Sequence, residues 1–319
     1  MAAAPLNVKY TVFWSLYGLR AGDIRADRRL IRPRGRRCKR LTTKKKGRRL
    51  GIRIWHHSFT VLSDLPAYDA ALKAHFRRVA RPDTEIVMHG MLPGTYRSNY
   101  PGTDIRHVGL QYLHGLQFLA GAVKAEREGY DAFALSTLPE PALREIRALV
   151  SIPVIGYGEA AMRQAVARGG RFGVFVFIAD MADLIDDNAA RHGLADRFVG
   201  TRDVGFRFDD VLAAMGDPSD LIDRFRASAR RMIADGAKAI IPGEAPLSVL
   251  LAANNVCEVD GVPVIDALGA WVQAAEAAVD RRRAGEPAGG DGYFTSLPPT
   301  DRRDEVLAFY GVEALVAQQ

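Results

Sequence analysis

The chain contains few cysteines and no long apolar segment. Cys38 and Cys257 are the only two among its 319 residues, and neither belongs to a CxxC or other metal-ligand spacing. This excludes a disulfide framework and favours a reducing, cytoplasmic location. No uninterrupted apolar run approaches the roughly 18 residues that a membrane-spanning helix needs, so we expect no membrane partner.

Acidic residues are scarce at the start of the chain. The first 50 residues contain 16 Lys and Arg but only two acids, Asp23 and Asp27. Removing these from the totals of 44 basic and 37 acidic residues leaves 28 and 35, so the net charge of +7 conceals a body of net charge −7. A nucleic-acid-binding fold shows a basic face on its folded body. Nucleic acid is therefore not an expected partner, except for the basic extension itself.

The basic extension, residues 1–49, has three interpretations that stay open. It is a disordered tail for nucleic acid or an acidic surface, an Arg-rich organelle transit peptide, or a segment translated from a start codon placed too early. Its low hydrophobicity and high charge cannot support a core, which favours a solvated tail.

From residue 50 onwards, short apolar runs alternate with amphipathic segments, which is typical of βα units around a parallel sheet. The apolar runs predict strands in LGIRIWHHSFT, TEIVMHG, DAFALST, PVIGY, RFGVFVF, AKAIIP and VPVID. The amphipathic segments predict helices over 66–80, 109–129, 141–150, 159–168, 181–192, 218–235, 246–254 and 267–282. One short helix is expected from Asp301. The Pro-, Gly- and Tyr-rich segment 91–108 predicts a long loop of the kind that often forms a lid.

Two stretches of the chain repeat one layout. YDAFALSTLPEPALREI and AKAIIPGEAPLSVLL each run from an apolar strand through a tight turn to a helix, and a second strand follows in SIPVIGY and GVPVID. The repeat predicts two similar lobes facing one cleft. Ligands in open parallel sheets bind beyond the carboxyl ends of the strands. Thr137 and Glu244, which follow the strands of the two copies, are therefore expected in that cleft.

The same stretches, with IPVIGYGEAAMRQAVARGGRFGV and GVPVIDALGAWVQAAEAAV, resemble the aspartate/glutamate/hydantoin racemase superfamily, and its hydantoin racemase branch most closely. The resemblance covers roughly residues 50–282. It implies an α/β fold of two pseudo-symmetric lobes with parallel sheets, an active site in the cleft between them, and no cofactor. We expect lobe 1 at 50–155, completed by helix 267–282, lobe 2 at 156–266, and a tail at 283–319.

Both catalytic cysteine positions of that superfamily are substituted in this chain. The resemblance implies one cysteine from each lobe, acting on opposite faces of an acidic carbon, and Thr137 and Glu244 stand at those positions. A threonine hydroxyl is too weak an acid to relay protons unaided at neutral pH. A partly desolvated glutamate can have its pKa raised toward neutrality and act as general acid or base. The pair therefore predicts a one-base site, although Glu244 also suits a helix cap.

We predict Glu244 as the general acid/base and Thr137 as the opposing catalytic or anchoring group. The predicted substrate-binding residues lie beside the two turns, at the end of the first strand and in the candidate lid: His57, Ser58, Ser136, Leu138, Gly243, Ala245 and Tyr96. A metal site at His56 and His57 is not expected, because adjacent side chains of a strand point to opposite faces.

These residues predict a cofactor-independent isomerase of the racemase type, acting by proton transfer at an acidic carbon of a small carboxylate or cyclic amide or imide. Two alternatives stay open: a lyase (a decarboxylase) or hydrolase that uses the one-base site, and a small-molecule binding protein without catalysis. The apolar stripe of helix 109–129, which includes Leu110, Leu113 and Val123, predicts a core or dimer face. We expect a homo-oligomer.

Overall fold

The computed structural model describes residues 51–290 and 292–319, and the predicted basic extension 1–49 lies outside them. The strands are β1 Ile52–Ser58, β2 Thr84–His89, β3 Ala132–Ser136, β4 Val154–Gly156, β5 Phe172–Val176, β6 Phe198–Asp203, β7 Ala239–Pro242, β8 Glu258–Val259 and β9 Val262–Pro263. The α-helices are α1 Pro66–Val79, α2 Gly102–Ile105, α3 Val108–Arg127, α4 Leu143–Arg147, α5 Tyr157–Gly169, α6 Ala182–Arg191, α7 Phe208–Ala213, α8 Ser219–Ala234, α9 Ala245–Ala253, α10 Ala267–Arg283, α11 Thr300–Phe309 and α12 Val312–Gln318. Within the described ranges, every helix is too short or too polar to cross a membrane.

The long strands form two parallel sheets of matching topology. The strand order is β2-β1-β3-β4 in the first sheet, called lobe 1 here, and β6-β5-β7 in the second, called lobe 2. A parallel bridge between Ile240 of β7 and Val264 continues the second sheet where β4 continues the first. The predicted α/β fold with parallel sheets is confirmed.

The central strands are buried along their whole length. All residues of β3, β5 and β7 are buried, whereas the edge strands β2 and β6 are partly exposed. Parallel strands covered by helices on both faces need such continuous apolar sequences. This is why AFALS, FGVFV and AIIP are unbroken apolar runs rather than alternating patterns.

Two helices show how sequence pattern sets the packing. In α8, Leu221, Phe225 and Met232 are buried at helical spacing, so that one face of the helix packs on lobe 2. The first turn of α10 is capped by Asp266, whose carboxylate accepts the Gly269 N–H at 2.9 Å. α10 packs against β3 and β4 of lobe 1, although it follows the last strand of lobe 2 in sequence.

The C-terminal region is more helical than its sequence predicts. The expected helix from Asp301 is α11, and a second helix, α12, follows it and packs against α3.

The apolar stripe of α3 is covered unevenly, since Val123 is buried while Leu110 and Leu113 are 40% and 57% exposed. The predicted loop 91–108 contains the short helix α2.

Candidate active site

A cavity of about 60 Å³ lies between residues that follow the carboxyl ends of strands in both lobes. In lobe 1 these residues end or follow β1 and β3, belong to the segment before α3 or, for Tyr68, lie on α1. In lobe 2 they follow β5 and β7 or, for Phe208, begin α7. The lining consists of Ser58, Phe59, Thr60, Tyr68, Tyr100, Pro101, Gly102, Ile105, Ser136, Thr137, Leu138, Pro139, Phe177, Ile178, Met181, Phe208, Glu244, Ala245 and Pro246. This position is the one that parallel sheets offer to ligands.

Six of the predicted site residues lie together in the cavity wall. They are Glu244, Thr137, Ser58, Ser136, Leu138 and Ala245. The register of the sheet explains this for lobe 1. Ser58 at the end of β1 pairs with Ser136 at the end of β3, so that the segments after these two strands lie side by side at one edge of the sheet. Glu244 and Ala245 follow β7, the corresponding strand of lobe 2.

The structure does not place His57 in the cavity wall. Its ring is fully buried and packs against Phe118 and Phe133, with ring centroids 4.6 and 5.7 Å away. The Trp55 Nε1–H donates to its Nδ1 at 3.3 Å. Because side chains alternate along a strand, His57 points toward α3 while Ser58, one residue later, reaches the cavity.

Tyr96 and Gly243 also stand behind the wall rather than in it. The Tyr96 hydroxyl donates to the Phe59 carbonyl at 2.7 Å and anchors the loop that covers the cavity. The Gly243 N–H donates to the Phe175 carbonyl at 2.9 Å, and a Cβ at this glycine would lie 2.2 Å from that oxygen. Glycine is therefore required here for the close approach of two backbones.

Glu244 occupies the N-cap position of α9, yet its side chain does not cap that helix. Its Oε1 accepts the backbone N–H of Phe177, just after β5, at 2.8 Å. Its Oε2 is buried and has no hydrogen-bond partner among the described residues. The carboxyl group therefore joins the ends of β5 and β7 and presents one oxygen without a protein donor, although the residue as a whole is partly exposed.

Burial raises the pKa of Glu244 to about 8, and the Asp203 carboxylate adds to this while the Phe177 N–H opposes it. The lining contains no Lys, Arg or His side chain from the described part of the chain. Among the lining tyrosines, burial and the Glu244 carboxyl raise the pKa of Tyr100 to about 12. The site therefore holds one group that can exchange a proton near neutral pH.

The lobe 1 side of the cavity contributes hydroxyl groups. Ser136 Oγ is buried and unpartnered within the described residues, and Thr137 is 8% exposed. The Ser58 and Thr60 hydroxyls lie 2.8 Å apart and hydrogen-bond to each other. These groups can orient a substrate, but their weak acidity suits them poorly to proton exchange.

Sequence reasoning missed most of the apolar wall. The lining residues outside the predicted site residues are Phe59, Thr60, Tyr68, Tyr100, Pro101, Gly102, Ile105, Pro139, Phe177, Ile178, Met181, Phe208 and Pro246. Four of them, Tyr100, Pro101, Gly102 and Ile105, lie in the segment 91–108 that the sequence predicts as a lid. The position of Phe177 directly after β5 is a signal that the strand pattern offered. In contrast, Tyr100 and Phe208, whose rings are 5.3 Å apart, are brought together from different lobes by folding alone.

Comparison with known proteins places the chain in a family. The model of the Asp/Glu/Hydantoin racemase family matches residues 67–275. Hydantoin racemase from Pseudomonas sp. (strain NS671) is 29% identical over 64% of this chain and 78% of its own length. Hydantoin racemase from Rhizobium meliloti is 30% identical over 60% of this chain and 74% of its own length.

Solved structures agree on the fold. Allantoin racemase from Pseudomonas fluorescens superposes with a TM-score of 0.63 at 24% identity, covering 78% of this chain and 98% of that one. Allantoin racemase from Klebsiella pneumoniae gives a TM-score of 0.58 at 23% identity, covering 78% and 100%. The chain belongs to the Asp/Glu/hydantoin racemase family, and the curated hydantoin racemases support the predicted branch.

Proposed function

We propose that the protein is a cofactor-independent, racemase-type isomerase of an uncharged cyclic amide or imide, with Glu244 as its general acid/base. The observation that supports this most is the Glu244 oxygen that has no partner among the described residues, in a cavity wall to which those residues contribute no basic side chain. A carboxyl group with a pKa of about 8 is present in both protonation states near neutral pH.

The chemistry follows from these positions. The Glu244 carboxylate takes the proton from a carbon beside a carbonyl group, and the electron pair moves onto the carbonyl oxygen. The first turn of α9 has no capping side chain, and Ala245 of that turn lines the cavity, so that the Ala245 N–H is available to the developing oxyanion, whereas Pro246 has no N–H to offer. Return of a proton from Glu244 gives exchange on one face. Inversion requires a proton on the opposite face, which solvent water on the Thr137 side supplies while the Glu244 proton passes to the hydroxide left behind.

The wall also bears on the substrate. An amino acid or a malonate bears a carboxylate, which needs a positive partner when it is desolvated. The described lining offers no cationic side chain, whereas hydroxyl groups and backbone N–H groups suit the carbonyls of a neutral ring. The names of the hydantoin racemase relatives point the same way.

A one-base reaction is the second candidate, and the hydroxyls of Ser136 and Thr137 opposite Glu244 are the observation that favours it. With a single effective base, protons exchange on one face, and a lyase or hydrolase reaction becomes accessible. Because the described lining has no cationic side chain, it suits a dianionic substrate and its decarboxylation poorly. Isomerisation of a neutral ring is therefore the first candidate.

The test is incubation of enantiopure 5-alkylhydantoins, aspartate, glutamate and a substituted malonate with the protein in D2O. Deuteration is followed by NMR and enantiomeric composition by chiral chromatography. We expect deuteration and inversion of the hydantoins, and a loss of about 100-fold or more in Glu244→Gln, in line with general acid/base catalysis. Because only the deprotonated carboxyl abstracts the proton, kcat/KM should rise with pH and level off above about 8.

Other outcomes are equally informative. Deuteration without inversion identifies the one-base reaction, and loss of CO2 from the malonate identifies a decarboxylase. Ligand binding without turnover, unchanged in Glu244→Gln, would reject the enzymatic proposal in favour of a binding protein.

A further inference from the structure

The turn that places Thr137 in the cavity has an unusual backbone. Between β3 and α4, Glu140 and Ala142 both adopt the left-handed conformation, with φ of 51° and 56°. Non-glycine residues are uncommon in this region, and they persist where surrounding structure holds them. Contacts from the surrounding structure therefore hold this turn.

Three polar contacts hold the turn. The buried Glu140 side chain accepts the Glu159 N–H at Oε1, 2.8 Å away, and the His192 Nε2–H at Oε2, 2.7 Å away. The Asn188 amide donates to the Pro139 carbonyl at 3.3 Å. We call Glu140, Asn188 and His192 the inter-lobe clasp.

The clasp connects the two halves of the molecule. Asn188 lies on α6 and His192 directly follows it, and α6 packs on β6 of lobe 2. The turn that it holds belongs to lobe 1. Glycine at 156 makes room for it, since a Cβ there would lie 2.2 Å from Glu140 Oε1.

The three clasp residues do not line the cavity themselves. Pro139, whose carbonyl accepts the Asn188 amide, does line it. We propose that Asn188 and His192 are positioning residues, which hold the Thr137 turn of lobe 1 at a fixed place relative to Glu244 of lobe 2. The proposal rests on the proposed function for its kinetic consequence. A displacement of about 1 Å between reacting groups can lower a rate about 100-fold, so a restraint that crosses the lobes has direct leverage on catalysis.

The kinetic test compares Asn188→Ala, His192→Ala and His192→Gln with the wild type. We expect kcat for hydantoin inversion to fall about tenfold in each alanine variant, with KM changed less than threefold. Glutamine, which keeps an N–H donor, should restore most of the rate. Ser228→Ala is the matched control, because it removes another buried bond to a backbone carbonyl, Ser228 Oγ to Val204 at 3.0 Å, away from the turn.

A second readout does not depend on turnover. In a background with Cys38→Ser and Cys257→Ser, the thiol introduced by Thr137→Cys is alkylated with iodoacetamide. We expect alkylation to become at least about fivefold faster when His192→Ala and Asn188→Ala release the turn, and to stay near the starting rate with His192→Gln or Ser228→Ala.

The outcomes separate the two proposals. A wild type that turns over nothing defeats the proposed function, while the alkylation rates still decide the clasp. Equal alkylation rates in all backgrounds, or a kcat loss that Ser228→Ala reproduces, would overturn the positioning role.

Discussion

The two strand-to-helix turns that meet in the cavity have matching topology and different chemistry. The lobe 1 turn after β3 presents the hydroxyls of Ser136 and Thr137, and the lobe 2 turn after β7 presents the Glu244 carboxyl. A repeated scaffold therefore does not imply a repeated catalytic group. Among the described lining residues, the one group suited to proton exchange near neutral pH, Glu244, lies on the lobe 2 side.

The two turns are also held differently. The lobe 2 turn is held by two hydrogen bonds within its own lobe. The Gly243 N–H donates to the Phe175 carbonyl, and the Glu244 carboxyl accepts the Phe177 N–H. The lobe 1 turn depends on Asn188 of α6 and on His192 directly after it, both in the other lobe. The proposed acid/base group, Glu244, thus lies on the turn that is held by its own lobe, and the hydroxyl groups lie on the turn that the other lobe helps to hold.

The largest difference that we expect between the lobes is in acid stability. Burial lowers the pKa of His56 to about 3, that of His57 well below its usual value, and that of His89 to about 4, all in the sheet of lobe 1. These imidazoles stay neutral in the folded protein but take up protons in the unfolded chain below about pH 6.5. The stability that the folded protein gains from keeping these imidazoles neutral is complete above about pH 6.5 and is lost as the pH falls below it.

Glu244 acts in the opposite direction, since its raised pKa makes the folded state the better proton binder between about pH 4.5 and 8. Three imidazoles outweigh one carboxyl, so we expect the free energy of unfolding to fall as the pH falls from 6.5 to 4.5. Urea denaturation followed by tryptophan fluorescence across this range measures it.

His57→Gln is the variant that isolates the effect, because its amide can still accept the Trp55 N–H without titrating. It should flatten the dependence of the free energy of unfolding on pH below 6.5. The exposed His107→Gln is the control and should leave that dependence unchanged. A flat profile in the wild type would contradict the prediction.

Gly243→Ala tests the local support of the lobe 2 turn. The added Cβ would meet the Phe175 carbonyl at 2.2 Å, so we expect a loss of about 1–3 kcal/mol in the free energy of unfolding and slower deuterium exchange, since Glu244 is displaced. Gly109→Ala, in an exposed first turn of α3 with no atom near the new Cβ, should be neutral or stabilising. Equal behaviour of the two variants would argue against a backbone contact that only glycine allows.

Thr137→Cys makes the two turns chemically more alike. A thiol has a pKa near 8.5 in water and can protonate the second face of the substrate. The ratio of inversion to deuterium exchange should therefore rise about tenfold, and Thr137→Val should lower it. If neither change moves the ratio, the proton of the second face comes from elsewhere, and Thr137 has no part in the reaction.

The sequence by itself determined the scaffold and the acid/base candidate. Unbroken apolar runs such as AIIP are typical of covered parallel strands, and the repeated strand-turn-helix layout placed Thr137 and Glu244 in equivalent positions. The same reasoning placed His57 and Tyr96 at the substrate, because both are polar and lie near strand ends or in the covering loop.

Only the tertiary structure decided which polar groups face the cavity. Strand parity turns His57 into the core, and the Tyr96 hydroxyl is used by the Phe59 carbonyl. The apolar wall and the inter-lobe clasp join residues far apart in sequence, such as Tyr100 with Phe208 and Glu140 with His192. Local pattern contains no information on such pairs, because their proximity arises only when the two lobes pack.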